Sequence, residues 1–176
     1  MKIYLATDHR GFELKEKIKK WLEDWGYEVA ESKLSSPPVA DAREYEDMGA
    51  FELDPKDDYV DFVAKAAKKV SEDPENSRAI VLGASGQGEA MLANKFKGVR
   101  AVVYYGGDEE IISLSREHND ANILSLGAAL GPKFEEARKM SEDLAKRVVR
   151  TWLETPFSGE ERHKRRLQKL KEIESA

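Results

Sequence analysis

The sequence predicts an α/β fold: a Rossmann-like three-layer α/β/α sandwich around a five-stranded parallel sheet, with an extended C-terminal helix. Three observations carry that prediction. Short apolar runs of strand length alternate with amphipathic stretches of helix length, as parallel strands joined by crossover helices require. Arg78-Ala79-Ile80-Val81-Leu82 runs straight into Gly83-Ala84-Ser85-Gly86-Gln87-Gly88-Glu89, a buried strand feeding a glycine-rich turn. No internal repeat and no domain-sized break interrupts residues 1–176, and that length suits one domain with a real core.

The elements follow in order. Ile3 to Ala6 reads as a short buried strand, and Thr7-Asp8-His9-Arg10-Gly11 as a polar turn. Phe12 to Trp25 places Phe12, Leu14, Ile18, Trp21, Leu22 and Trp25 near helical spacing, with Gly26 as the stop. Tyr27 to Ala30 is the second strand. Ser32 to Asp57, with Pro37-Pro38, mixed acidic residues and Pro55, reads as a long loop with at most one helical turn. Tyr59 to Val70 is helical, Ala79 to Leu82 the third strand, and a helix follows Glu89 to about Lys97. Val99 to Tyr105 is the fourth strand, Glu109 to Glu117 a helix and Ile123 to Leu126 the fifth strand. Lys133 to Thr151 reads as one long helix with Phe134, Ala137, Met140, Leu144, Val148 and Trp152 on its apolar face. Pro156 to Gly159 breaks it, and Arg162 to Ile173 is a basic helix. The narrow stripe of Leu167, Leu170 and Ile173 on that last helix predicts that about 155–176 docks on something outside its own core, such as a second subunit.

Composition excludes several classes. A net charge of -5 argues against a general nucleic-acid binder. The absence of cysteine removes disulfides, thiolate metal sites and a cysteine nucleophile. Three scattered histidines do not suggest a metal cluster. No stretch reaches membrane-spanning length and the N-terminus is apolar too briefly for a signal peptide, so a cytoplasmic protein is expected.

In an open parallel sheet ligands bind at the carboxyl ends of the strands. Asp8-His9-Arg10-Gly11, the Gly83–Glu89 loop and Gly106-Gly107-Asp108 all fall there. Arg116 to Asn122 lies just before the last strand, near its opposite end or at a subunit contact. The spacing Gly83-x-x-Gly86-x-Gly88 is not the dinucleotide fingerprint, and no Lys-Ser or Lys-Thr completes a Walker loop. Loop amides can face an anion or a developing oxyanion, and Glu89 beside them is a candidate base. An ordinary strand-to-helix turn with a dipole-favoured glutamate fits the same residues. Cofactor-free chemistry on a small anionic substrate fits best.

Thr7-Asp8-His9-Arg10-Gly11-Phe12-Glu13-Leu14-Lys15 resembles the start of the type B ribose-5-phosphate isomerases, a family that includes the galactose-6-phosphate isomerase subunits. The resemblance continues through Asp57-Asp58-Tyr59, Gly83-x-Ser85-Gly86-x-Gly88-Glu89 and Ala93-Asn94-Lys95 with Lys97 to Arg100. It then takes in Arg116 to Ala121, Thr151-Trp152-Leu153 and Arg162 to Arg166, in family order over nearly the whole chain.

The resemblance implies an aldose–ketose isomerase of phosphorylated sugars that uses no cofactor or metal and works through an enediolate. Ribose 5-phosphate to ribulose 5-phosphate is the expected reaction. A six- or four-carbon sugar phosphate, or an inactive sugar-phosphate-binding protein, is the alternative. Many members place a cysteine base at the position of Gly83. A second group uses a glutamate at the position of Glu89, and this chain resembles that group. Ser85 with the loop amides, Gly86 and Gly88 among them, is then the oxyanion donor set. Asp8 binds sugar hydroxyls, while His9 contacts the phosphate or relays a proton. Asp8 as a mere helix cap is the competing reading. Tyr59 lines the sugar site, and Asn119 lies near the enediolate beside His118, for which a structural hydrogen bond is an equal alternative. The resemblance further implies a homodimer with shared sites. Arg162 and Arg166 then clamp the phosphate and His163 opens the sugar ring from the partner.

The chain also departs from the family. Ala129 stands where members carry a phosphate-binding arginine, and Gly107 where cysteine-type members carry a histidine. Arg10 replaces a usually small residue and is the candidate to supply the missing cation from the same sheet end. The 32–57 loop is longer than usual.

Overall fold

The structure is a computed structural model that describes residues 1–30, 43–130 and 138–175. Alternation along its strands decides the layers. In β1 (Lys2–Thr7), Ile3 and Leu5 face one side of the sheet and Tyr4 and Ala6 the other. In β4 (Ser77–Gly83), Ile80 and Leu82 face the first side and Ala79 and Val81 the second. Buried on both faces, these two strands lie side by side in the middle of the sheet.

The first side is covered by α1 (Phe12–Asp24), α4 (Glu110–Glu117) and α5 (Glu142–Glu154), which contribute Ile18, Trp21, Leu22, Ile112, Val148, Val149 and Trp152. The second is covered by α2 (Tyr59–Glu72) and α3 (Gln87–Ala93), through Val63, Ala66, Ala67, Val70 and Ala93. With β2 (Glu28–Val29), β3 (Glu44–Asp47), β5 (Ala101–Tyr104) and β6 (Ile123–Gly127), the sheet has the order β2-β3-β1-β4-β6-β5. Every pairing in it is parallel. β2 and β3 lie on one side of β1, and β4 and all later strands of this sheet on the other. The crevice outside the carboxyl ends of β1 and β4 is therefore the place where such a sheet holds a ligand.

Among the described residues the sheet has six strands, not the expected five. The additional strand is β3, inside the segment expected to be a loop. Glu44-Tyr45-Glu46-Asp47 shows one buried apolar side chain, Tyr45, so hydropathy alone does not mark it. Charge pairing fixes it instead. Lys2 pairs with Glu46, and the fully buried Lys15 bonds to Asp47 Oδ1 at 2.6 Å and to the Ala50 carbonyl at 2.8 Å. Burial pushes Asp47 up, but the bonds from Lys15, the Gly49 N–H and Lys19 outweigh it and hold the carboxyl below its ordinary value.

The long helix expected from Lys133 begins instead at Glu142. Ser141 caps it by accepting the Leu144 N–H at 3.3 Å, and just upstream β8 (Arg138–Lys139) pairs antiparallel with β7 (Ala129–Leu130). Residues 32–42 of the expected loop, and Gly131, Phe134 and Ala137, lie outside the described residues. The last helix, α6 (Glu161–Ile173), buries only His163, and leaves Leu170 and Ile173 exposed. Among the described residues no helix is long and apolar enough to cross a membrane.

Candidate active site

Glu89 lies at the carboxyl end of β4, against Gly83. Gly86 takes φ 77°, the left-handed conformation that turns the chain from β4 into α3, and Glu89 follows in the first helical turn. Its side chain folds back over the end of β4. A Cβ placed on Gly83 would collide with the Glu89 carboxylate, so Gly83 lacks a side chain because Glu89 fills that volume. Glu89 is 4% exposed. Burial raises its pKa, its own backbone N–H lowers it, and the nearby charge of Asp8 raises it further, for a net upward shift. A desolvated carboxylate of this kind has the character of a general base. Gly83→Ala should displace that carboxylate rather than unfold the chain, since the colliding atoms are the far end of a flexible side chain. A loss of about 10²-fold in kcat with an unchanged circular dichroism spectrum is the expected result.

The loop around Glu89 is built for close approach. The amides of Ser85 and Gly86 donate to no protein acceptor among the described residues, and the half-buried Ser85 hydroxyl accepts the Gln87 N–H at 3.3 Å. Asp58 caps α2 by accepting the Val60 N–H, which sets Tyr59 at the first turn. A Cβ on Gly88 would lie 2.9 Å from the Tyr59 hydroxyl, so Tyr59 and the loop share one wall.

Asp8 and His9 sit at the end of β1, next to this loop. Asp8 is buried, and burial raises its pKa against the opposing Arg10 N–H bond of 2.9 Å. That bond closes a local turn. The N-cap of α1 is Gly11, with no side-chain cap bond, so Asp8 is not the helix cap. His9 is pinned by a residue that sequence reasoning placed in a motif without giving it a role. Asp57 Oδ1 accepts the His9 backbone N–H at 2.9 Å and lies 2.6 Å from ring Nδ1. Nothing local marks Asp57, which stands 48 positions away in a segment without periodicity. Asp8, His9 and Asp57 each bring a donor atom within 4.8 Å of the others. His9 Nδ1 is spent on Asp57, a bond that a cation there would have to displace.

Beside this cluster, Arg10 lines a shallow groove with Ala128, Ala129, Lys17 and Lys139. Ala128 and Ala129 run alongside the glycine loop, their N–H groups donating to Gly83 and Ala84 carbonyls at 2.9 and 3.2 Å. Arg10 and Ala129 thus face one space. Gly107 lies in the turn after β5, where its carbonyl accepts the Tyr104 hydroxyl at 3.1 Å.

His118, Asn119, Arg162, His163 and Arg166 are not brought to this crevice within one chain. His118 ends α4, ahead of the amino end of β6. The register of β4 on β6 runs from Ala79↔Ile123 to Gly83↔Gly127, so the two ends are separated by roughly 13 Å of strand. α6 is anchored at the amino end: Ser158 N–H donates to the Glu117 carbonyl, Gly98 N–H donates to Glu174, and the His163 ring lies 4.3 Å from that of His118. His163 Nδ1 is 2.7 Å from the Ser158 hydroxyl, while Nε2 is buried without a partner among the described residues. Burial and the neighbouring His118 lower its pKa. Arg162 pairs with Glu160 at 2.8 Å, and Arg166 is exposed.

Residues 39–170 match the family model for the ribose/galactose isomerases. The chain belongs to that family. It is 37% identical to ribose-5-phosphate isomerase B of Mycolicibacterium paratuberculosis over 174 residues, covering 99% of this chain and 92% of that protein. Among solved structures, it superimposes with a TM-score of 0.79 on ribose-5-phosphate isomerase B of Mycoplasma genitalium with bound ribulose-5-phosphate. That pair is 29% identical, with 99% of this chain and 96% of that one covered. The Clostridium thermocellum ribose-5-phosphate isomerase B structure gives a TM-score of 0.76 at 36% identity, with 99% and 98% covered. Rossmann-like architecture and family membership therefore agree with the sequence.

Proposed function

We propose that this chain is a cytoplasmic, homodimeric, cofactor-independent isomerase that converts ribose 5-phosphate to ribulose 5-phosphate. The observation that carries the reading is the buried Glu89 carboxylate over Gly83, at the ligand crevice of a chain from the ribose/galactose isomerase family. In this reading Glu89 removes the proton from C2 of the open-chain aldose. The C2–H electrons form the C1–C2 double bond and the carbonyl electrons move onto O1. Ser85 and the amides of the glycine loop stabilise that oxyanion. O1 gains a proton, O2 loses one, and Glu89 returns its proton to C1, leaving the carbonyl at C2. Nothing is oxidised or reduced overall.

Asp8, raised in pKa by burial, accepts or shares a proton with the sugar hydroxyls, and His9 and Tyr59 close the pocket beside it. The groups at the far end enter from the partner: His163 opens the ring, His118 and Asn119 meet the enediolate, and Arg162 and Arg166 hold the phosphate dianion. Arg10 adds a cation where Ala129 offers none. Arg10→Ala should then raise the KM for ribose 5-phosphate by about 10-fold or more, as expected for a lost hydrogen bond to a charged group. An unchanged KM would remove Arg10 from the phosphate site.

The test is an isomerisation assay of purified protein, without added metal or cofactor, on a panel of four-, five- and six-carbon aldose phosphates. Turnover of ribose 5-phosphate upholds the proposal. Turnover of only another member moves the substrate and implicates the Arg10–Ala129 groove. Binding without turnover across the panel overturns it in favour of a sugar-phosphate-binding protein.

A further inference from the structure

We propose that Asp57 is a positioning residue for His9, holding the imidazole so that Nδ1 carries the proton and Nε2 is the end offered to the substrate. The inference rests on the reading of His9 as a substrate-facing group. One oxygen of Asp57 makes both bonds to His9, to the backbone N–H at 2.9 Å and to ring Nδ1 at 2.6 Å. Two attachments to one point fix both where the residue sits and how its ring is turned. A ring nitrogen bonded to a carboxylate carries a proton, which leaves the other nitrogen to act on the ligand.

A purely structural tether does not explain the chemistry of this carboxyl group. Helix capping is already done by its neighbour Asp58. The Asp57 side chain is 9% exposed, and its second oxygen, Oδ2, is buried without a partner among the described residues. Burying a carboxylate oxygen unpaired costs stability, so the placement of this side chain is not explained by the fold alone. The acid is thus kept in a place where it serves His9 rather than the fold. It also lies close to Asp8, whose pKa burial raises and the neighbouring Asp57 raises further.

A double-mutant cycle on kcat/KM tests the claim, with Asp57→Ala, His9→Gln and the double variant. Asp57→Ala should lower kcat/KM by about 10²-fold. In the His9→Gln background the same change should cost less than about 3-fold, because Asp57 then has no ring to hold. Asp57→Asn, which keeps an oxygen for both bonds, should recover most of the loss and guards against a misfolded alanine variant. Full additivity would overturn the proposal, as would an asparagine variant as impaired as the alanine one. The nitrogen spectrum of the imidazoles gives a readout independent of turnover, since the chain has only three histidines. His9 should carry its proton on Nδ1 in the parent and shift toward Nε2 in Asp57→Ala. Should the parent turn over no sugar phosphate, the proposed function fails, and the tautomer still decides whether Asp57 governs His9.

Discussion

Glu89→Gln lowers kcat by about 10²- to 10⁴-fold, the range of a lost general base, with little change in KM and an intact fold. Its warrant is geometric: the carboxylate lies over the end of β4 in the volume that a side chain at Gly83 would need. The pH dependence follows from the direction of its pKa. The base works ionised, and burial with Asp8 nearby raises its pKa, so the acid limb of kcat/KM lies above that of an ordinary glutamate. The rate climbs as pH rises through that raised value, and the variant loses the limb. Stability moves the other way. A folded-state pKa above the unfolded value means that the fold holds this proton more tightly than the unfolded chain does. That contribution is complete below the unfolded value, about 4.3, and is lost as pH rises through the folded one. Above that folded value, ionised Glu89 therefore works against the fold. The glutamine variant should melt at or above the parent temperature at pH 7, with the gap closing toward pH 4. A variant that keeps its rate within a few-fold, or that loses stability along with activity, sinks the assignment.

Sequence separation decides which parts of the site are legible in the sequence. Local signals carried the strand, the glycine turn and the glutamate, because Arg78 to Glu89 holds the apolar run, the turn residues and the acid in one stretch. β1 with Asp8 and His9 is equally local. β3 was not legible, since its place comes from Lys2, Lys15 and Lys19 reaching Glu46 and Asp47 rather than from apolar alternation. The start of α5 was misread for a related reason. Met140, Leu144 and Val148 keep a helical spacing across Ser141, yet the Met140 N–H bonds to the Ala128 carbonyl and leaves the helix to begin after the cap. Asp57 escaped because its contact with His9 spans the chain, and only the packing of the 50s segment against the β1 turn creates it.

Mixing two impaired variants, one lacking the base and one weakened in phosphate binding, restores activity if the site is shared between subunits. The argument begins from the parallel sheet. Glu89, Asp8 and His9 lie at its carboxyl end, while α6 is tied to its amino end through Ser158, Glu174 and the His118–His163 stack. One copy cannot bring Arg166 over its own Glu89, so a phosphate clamp from α6 must serve a neighbouring copy. The exposed Leu170 and Ile173 on the same helix are consistent with a surface that another copy covers. Glu89→Gln removes the base, and Arg166→Ala removes part of the clamp, with an expected rise in KM of about 10-fold or more for a lost charged hydrogen bond. In a dimer with one variant of each kind, one site carries both lesions and the other carries neither. Random pairing of equal amounts makes half the dimers mixed, each with one intact site, so about a quarter of the parent activity returns at low substrate, as symmetric pairing dictates. Co-expression with two different affinity tags isolates the mixed species, which should show about half the parent activity per dimer. Mixed dimers no more active than the average of the two variant homodimers would place Arg166 outside the partner's site, and would leave α6 a structural helix rather than a part of the catalytic machinery.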